Sequence, residues 1–114
     1  MFKIAEKRTV EWPVTIAVPQ DGGGVKKFDA RVEFEYLTQD DIDEALAGGN
    51  DIDLMLRAVT GWPDGQFQDE RGEVLPFNAE NLARLMQIQY VRLAFVAAHL
   101  QVQQGREAAR KNSR

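Results

Sequence analysis

Two alternating runs separated by a glycine turn constrain this chain more than any other feature of it. In Thr9 to Pro19, the apolar residues Val10, Trp12, Val14, Ile16 and Val18 fall at every second position. That period places side chains on one face of a strand. In Val25 to Leu37, Phe28, Ala30, Val32, Phe34 and Tyr36 alternate with Lys27, Asp29, Arg31, Glu33 and Glu35. This predicts a half-buried strand with a wet, charged face. Between the runs, Gln20-Asp21-Gly22-Gly23-Gly24 can take the positive φ values that a reversal needs. The expected product is a long antiparallel hairpin. Pro13 cannot donate to a ladder, so its strand is expected at a sheet edge or with a bulge at that point.

After Leu37 the period changes. Thr38 followed by Asp40 and Asp41 has the form of a helix start, with acidic side chains against the positive end of the dipole. That helix is expected to reach about Ala47 and stop at Gly48-Gly49. Asn50 or Asp51 then caps a second short helix through Leu54, Met55, Ala58 and Val59, with Gly61 as its stop. Trp62 to Phe77 has no clear period and holds Pro63, Gly65, Gly72 and Pro76. It is long for a structureless loop, and Trp62, Phe67, Val74, Leu75 and Phe77 suggest that it folds onto the body. Asn78 is the next cap, with Glu80 in the first turn. Leu82, Leu85 and Met86 mark one helical face. Ile88, Val91, Ala94, Phe95, Ala98 and Val102 continue as an amphipathic stripe, widened by Leu93, Val96, Ala97 and Leu100. A helix apolar on so much of its circumference needs cover on more than one side, either from its own domain or from a partner.

The fold class expected is therefore α+β: an N-terminal antiparallel β-hairpin packed against a bundle of three to five helices, closed by a long C-terminal amphipathic helix. Residues 1–103 are read as a single domain, with the hairpin over 9–37 and the helices over 38–103. Residues 104–114 are read as a basic tail. A length of 114 residues suits one core. A hydrophobic fraction of 44% with 28% charged residues argues against wholesale disorder. The chain has no cysteine, which excludes disulfides, thiolate catalysis and cysteine-ligated zinc. No run approaches the ~18 apolar residues of a membrane span. Met1 to Glu11 has no apolar h-region, so no signal peptide is indicated and the cytoplasm is the expected compartment. Arg106, Arg110, Lys111 and Arg114 against Glu107 make the last ten residues +3, so the rest of the −4 chain carries −7. An acidic body does not favour nucleic acid, whose affinity comes from cations meeting phosphates.

Few residues of the sequence are suited to catalysis or metal binding. His99 is the one histidine, and no carboxylate stands at a recognisable catalytic spacing from it. Asp40, Asp41, Asp43, Glu44, Asp51 and Asp53 form an acidic run. A calcium loop would continue Asp51-Ile52-Asp53 with further oxygen ligands and a terminal Glu, which are missing. Two helix N-termini with a solvated face explain the run better. Gly22-Gly23-Gly24 leads into a strand and lacks the Gly-Lys-Ser/Thr ending of a phosphate loop. Ser113 is the lone serine and lies beside the C-terminus, which leaves no serine triad. No catalytic residue, metal ligand or cofactor site is assigned.

One stretch resembles a known family. It comprises Asp51-Ile52-Asp53-Leu54-Met55-Leu56-Arg57-Ala58-Val59-Thr60-Gly61-Trp62, then Asp69 to Leu82 with its Leu75-Pro76-Phe77-Asn78 helix start, then Ile88 and Tyr90-Val91-Arg92. With the upstream Phe34-Glu35-Tyr36-Leu37-Thr38, this is similar to the tail assembly chaperones of long-tailed bacteriophages and prophages, over roughly residues 32–100. The resemblance implies a protein that is not an enzyme, works in the cytoplasm of a bacterial host, and binds the tape measure protein. It would keep that protein soluble while tail tube subunits polymerise around it. Contact with the tail tube protein and homo-oligomerisation are compatible with such a role; nucleic acid and membrane partners are not expected. The candidate partner-binding residues are Trp62, Tyr90, Phe95, Val96 and Leu100, each of which could instead be core. Gln89 stands where the family commonly has proline, so a continuous helix from Ala79 to Gln103 becomes allowed. The family also suggests a longer product made by frameshifting, for which Arg110-Lys111-Asn112 can be encoded as a slippery CGA-AAA-AAC. The competing readings are a small structural tail subunit (tube, terminator or connector) that self-assembles, and a generic acidic adaptor or inhibitor.

Overall fold

A computed structural model describes residues 1–6 and 8–108. The basic tail residues 109–114, and with them the proposed frameshift junction, lie outside the described residues. The architecture is α+β: a three-stranded antiparallel sheet and four α-helices among the described residues.

The two alternating runs form β1 (Thr9–Pro19) and β2 (Val25–Glu35), paired in unbroken register from Thr9↔Glu35 to Pro19↔Val25. Gly22 and Gly23 take φ of 91° and 98° in the connecting turn, values that a side chain at Cβ resists. Pro13 sits in an edge strand without a bulge. The reason is visible across the ladder. Its partner Arg31 points its N–H away from β1, donating to the Gln66 side chain at 2.8 Å. Residues 13 and 31 are thus a non-hydrogen-bonded pair, and the donor that proline lacks would have faced the open edge. On the wet face, Glu11 and Glu33 lie directly opposite each other, an arrangement that destabilises a sheet if left alone. Here Glu11 accepts from Arg31 at 2.7 Å and Glu33 accepts from the Thr60 hydroxyl at 2.8 Å.

The hairpin gains a third strand that sequence periodicity does not reveal. Val59–Gly61 leaves helical geometry at Val59 (ψ 122°) and forms β3 against Glu33 and Phe34. The helix expected through Val59 therefore ends at Ala58, and Gly61 closes a strand and not a helix. Three residues are too few to display a period of two.

The first three helices are short, and the C-terminal one is about twice their length. α1 (Gln39–Ala45) is capped by the Thr38 hydroxyl, which accepts from Asp41 N–H, and it tightens into a single 3-10 turn over Leu46–Gly48. α2 (Asp51–Ala58) is capped by Asn50, whose side chain accepts from Ile52 and Asp53 N–H. α3 (Ala79–Met86) is capped by Asn78 through Asn81 N–H, and α4 (Gln89–Gln104) ends at Gly105. The continuous helix allowed from Ala79 to Gln103 does not form. Ile88 is extended (ψ 113°), which breaks the run without any proline. Arg92 holds the break in place. Its Nη1 donates to the Met86 carbonyl at 2.8 Å, and its Nε lies 2.9 Å from Asp51 Oδ1. That nitrogen is off the hydrogen-bond direction, so the contact with Asp51 is an ion contact. One guanidinium thereby joins the end of α3, the start of α4 and the start of α2.

One core cluster takes side chains from all three strands, from α2, α3 and α4, and from the long connection. The aperiodic Trp62 to Phe77 segment is ordered. Asp69 folds it back by accepting from Arg71 and Glu73 N–H, and Gln68 bridges Val74. Trp62, Phe67 and Leu75 are buried, whereas Val74 stays exposed.

Candidate functional site

The C-terminal helix has two faces of opposite fate. Its inner face (Val91, Phe95, Ala98, His99) is buried against β1, β2 and the loop. Phe95 packs edge-on to Phe34, with ring centroids 6.3 Å apart, and contacts Phe67 at 5.9 Å. Trp62 and Phe77 extend the aromatic chain through Phe67.

Polar groups on the helix flanks fasten it to β1, to the last residue of β2 and to Leu37 just beyond that strand. Gln103 behaves as a surrogate strand. Its Oε1 accepts from Leu37 N–H at 2.7 Å and its Nε2 donates to the Leu37 carbonyl at 3.0 Å. Trp12 Nε1–H donates to Gln101 Oε1 at 2.8 Å. His99 lies 3.1 Å from the Glu35 carbonyl through Nε2. A carbonyl only accepts, so Nε2 carries the proton. Burial pushes the His99 imidazole below its ordinary pKa, opposed by the Glu35 carbonyl and the Gln103 side chain. A neutral ring whose proton is committed to a backbone carbonyl has a structural role.

The outer face is different. Tyr90, Leu93, Ala97, Leu100 and Gln104 are all exposed. Their spacing of three and four residues keeps them on one side of the helix. Arg92 is the one Lys, Arg, Asp or Glu in the sixteen residues of α4, and it is turned to Asp51 and Met86. In a chain with 28% charged residues, an exposed helical face without a charge is unusual. Leu93 is 50% and Leu100 48% exposed. On the β1 side, Ala94, Ala97, Ala98 and Gln101 face Pro13 and Thr15 across a hollow of about 110 Å³. The small side chains leave room there for a knob from an approaching element.

The five sequence candidates separate on this geometry. Trp62 is interior, with its indole N–H donating to the Leu75 carbonyl at 3.0 Å. Phe95 is fully buried. Neither presents a surface to a partner in the folded chain. Val96 is half-buried on the flank of α4, and Tyr90 and Leu100 lie on its outer face. Leu93 and Ala97 complete that face and were not among the five. The signal for them was the absence of charge along the 90, 93, 97, 100, 104 series, which periodicity alone does not separate from core.

Other surfaces offer less. A hollow of about 560 Å³ between the N-terminal arm and the β1 start is lined by Phe2, Ile4, Val10, Tyr36 and Val102, with Lys3 and Arg8 nearby. The acidic run is divided among helix starts and ion pairs. Asp41 meets Arg57 at 3.5 Å and Asp51 meets Arg92. No group of three or more metal-ligating side chains occurs among the described residues. No helix of the described residues is long and apolar enough to cross a membrane. No protein-family model, no characterised protein and no solved structure matches the chain.

Proposed function

We propose that this protein is a phage or prophage tail assembly chaperone, acting in the cytoplasm of the bacterial host, that binds amphipathic helical segments of the tape measure protein on the outer face of α4. The observation that carries the reading is the charge-free, exposed series Tyr90, Leu93, Ala97, Leu100 on an otherwise highly charged domain. A helical tape measure exposes apolar stripes until the tube encloses it. A chaperone for it needs an apolar stripe of its own, and a net charge of −4 to stay in solution while presenting one. The resemblance over residues 32–100 points to the same role.

Co-expression with the tape measure protein of the same gene cluster tests it. The expected result is a tape measure protein that is insoluble alone, soluble in complex, and lost to the pellet again when Leu93 and Leu100 are both changed to Glu. A tape measure protein that is soluble alone and does not associate overturns the reading.

A second reading, a self-assembling tail subunit, has one observation in its favour. The far end of the hairpin leaves Val25 and Phe28 exposed beside the open edge of β1. It requires rings or tubes of the purified protein in electron micrographs.

A further inference from the structure

The outer face of α4 has a property beyond being apolar: it is complementary to itself. The spacing of Tyr90, Leu93, Ala97 and Leu100 is that of alternating a and d positions in a heptad, with Tyr90 and Ala97 at a and Leu93 and Leu100 at d. The flanking e and g positions are Gln89, Ala94, Val96, Gln101 and Gln103, none of them charged. We infer that α4 pairs with α4 of a second copy of this chain, antiparallel, about a two-fold axis at the level of residue 95.

That axis sets the layers. Tyr90 meets the second copy's Leu100, and Leu93 meets the second copy's Ala97; symmetry repeats both pairs. The bulk of Leu93 falls opposite the smallest residue of the stripe, so the layers interdigitate. A parallel, in-register pair would instead place Ala97 on Ala97, leaving a void, and Gln104 on Gln104. Antiparallel dipoles also attract, whereas parallel ones repel. Charge points the same way. Two copies of net charge −4 repel through most surfaces, and this uncharged face allows close approach without like-charge contact. The symmetry closes, so pairing stops at two.

Four partly exposed layers bury on the order of 800 Å² in total, which belongs to the weak, exchangeable class of contact. The free chain thus covers its own docking face reversibly. A longer amphipathic helix, which offers more layers, displaces the second copy. The pairing uses the face assigned above but does not depend on what the partner is.

Sedimentation equilibrium of the full chain, from about 10 µM to about 1 mM, spans the range in which such a contact exchanges. The mass is expected to rise from the 12.9 kDa of one chain toward twice that value. Leu93→Glu is expected to hold it at one chain throughout, with an unchanged circular dichroism spectrum, because residue 93 is exposed. Orientation is read by cross-linking, since the chain has no cysteine of its own. A mixture of Leu93→Cys and Ala97→Cys chains in an oxidising glutathione buffer is expected to give mainly the mixed 93–97 disulfide. A wild-type chain that stays at 12.9 kDa at every concentration overturns the pairing, as does a dimer indifferent to Leu93→Glu. Like-with-like disulfides in excess overturn the antiparallel order. A monomeric wild-type chain that still solubilises the tape measure protein overturns this pairing alone; a dimer that solubilises nothing overturns the proposed function alone.

Discussion

Trp62 and Leu93 make an instructive pair. Trp62 stands in a stretch with no periodicity, among prolines and glycines, yet it is 7% exposed. Its rings meet Phe67 and Phe77 at 4.8 and 4.9 Å, and its one polar atom is hydrogen-bonded. Leu93 stands in the most regular helix of the chain, yet half of it faces solvent. The loop has one way to dispose of its aromatic residues, which is inward. The helix has two apolar faces and only one sheet to cover them. Regular structure is therefore a poor guide to burial here. What separates the two regions is whether the domain supplies enough surface to cover each apolar side chain.

Substitutions in the two regions are expected to separate stability from association. The largest effect is expected at Phe95, where the helix and the aromatic loop meet. Phe95→Ala removes a fully buried ring that touches Phe34 and Phe67. A cost of about 3–5 kcal/mol is expected, read as a fall in the urea midpoint, and a domain of this size can lose its fold at that cost. Trp62→Phe keeps most of the ring but leaves the Leu75 carbonyl without its donor. About 1–3 kcal/mol is expected from that loss, with association untouched. A loss of partner binding by a folded Trp62→Phe variant would show that the loop, and not the helix, holds the docking surface.

The contribution of His99 is smaller and depends on pH with a definite sign. Burial lowers the His99 pKa, so the native state refuses a proton that the unfolded chain accepts below about pH 6.5. Stability from this residue is complete above that pH and is lost as pH falls through the folded-state pKa. The slope is bounded by about 1.4 kcal/mol per pH unit. Urea unfolding between pH 7 and 5 is expected to show the decline in the wild type and a flatter profile in His99→Gln. An equal slope in both would mean that other groups titrate in that window.

Much of this architecture was legible because it is written in local chemistry. Residues 9–37 declare a hairpin by alternation and glycine, which the paired strands realise up to Glu35, and Thr38, Asn50 and Asn78 cap the helices their positions suggest. Three features were not legible, each for a physical reason. β3 is held by pairing to Glu33 and Phe34, which lie far away in sequence. The break at Ile88 is fixed by Arg92 reaching Met86 and Asp51, a tertiary contact in place of a proline. At the candidate site, Leu93 and Phe95 belong to one wide apolar stripe in the sequence. Their separation into outer and inner faces depends on where the sheet ends, and that is a property of the assembled domain.

The smallest effect on stability is expected where the effect on association is greatest. Leu93→Ser and Leu100→Ser change side chains that are about half exposed and sit outside the core cluster. Surface substitutions of this kind usually stay within about 0.5 kcal/mol, so the urea midpoint should move little. An apolar contact face responds differently, because the buried centre of an interface depends on a few large side chains. The double variant should lose partner solubilisation while unfolding like the wild type. If it instead unfolds early, the outer face of α4 is covered by its own chain, and the contrast with Trp62 disappears. If it unfolds normally and still binds, the docking surface lies elsewhere, and the exposed end of the hairpin around Val25 and Phe28 becomes the next place to look.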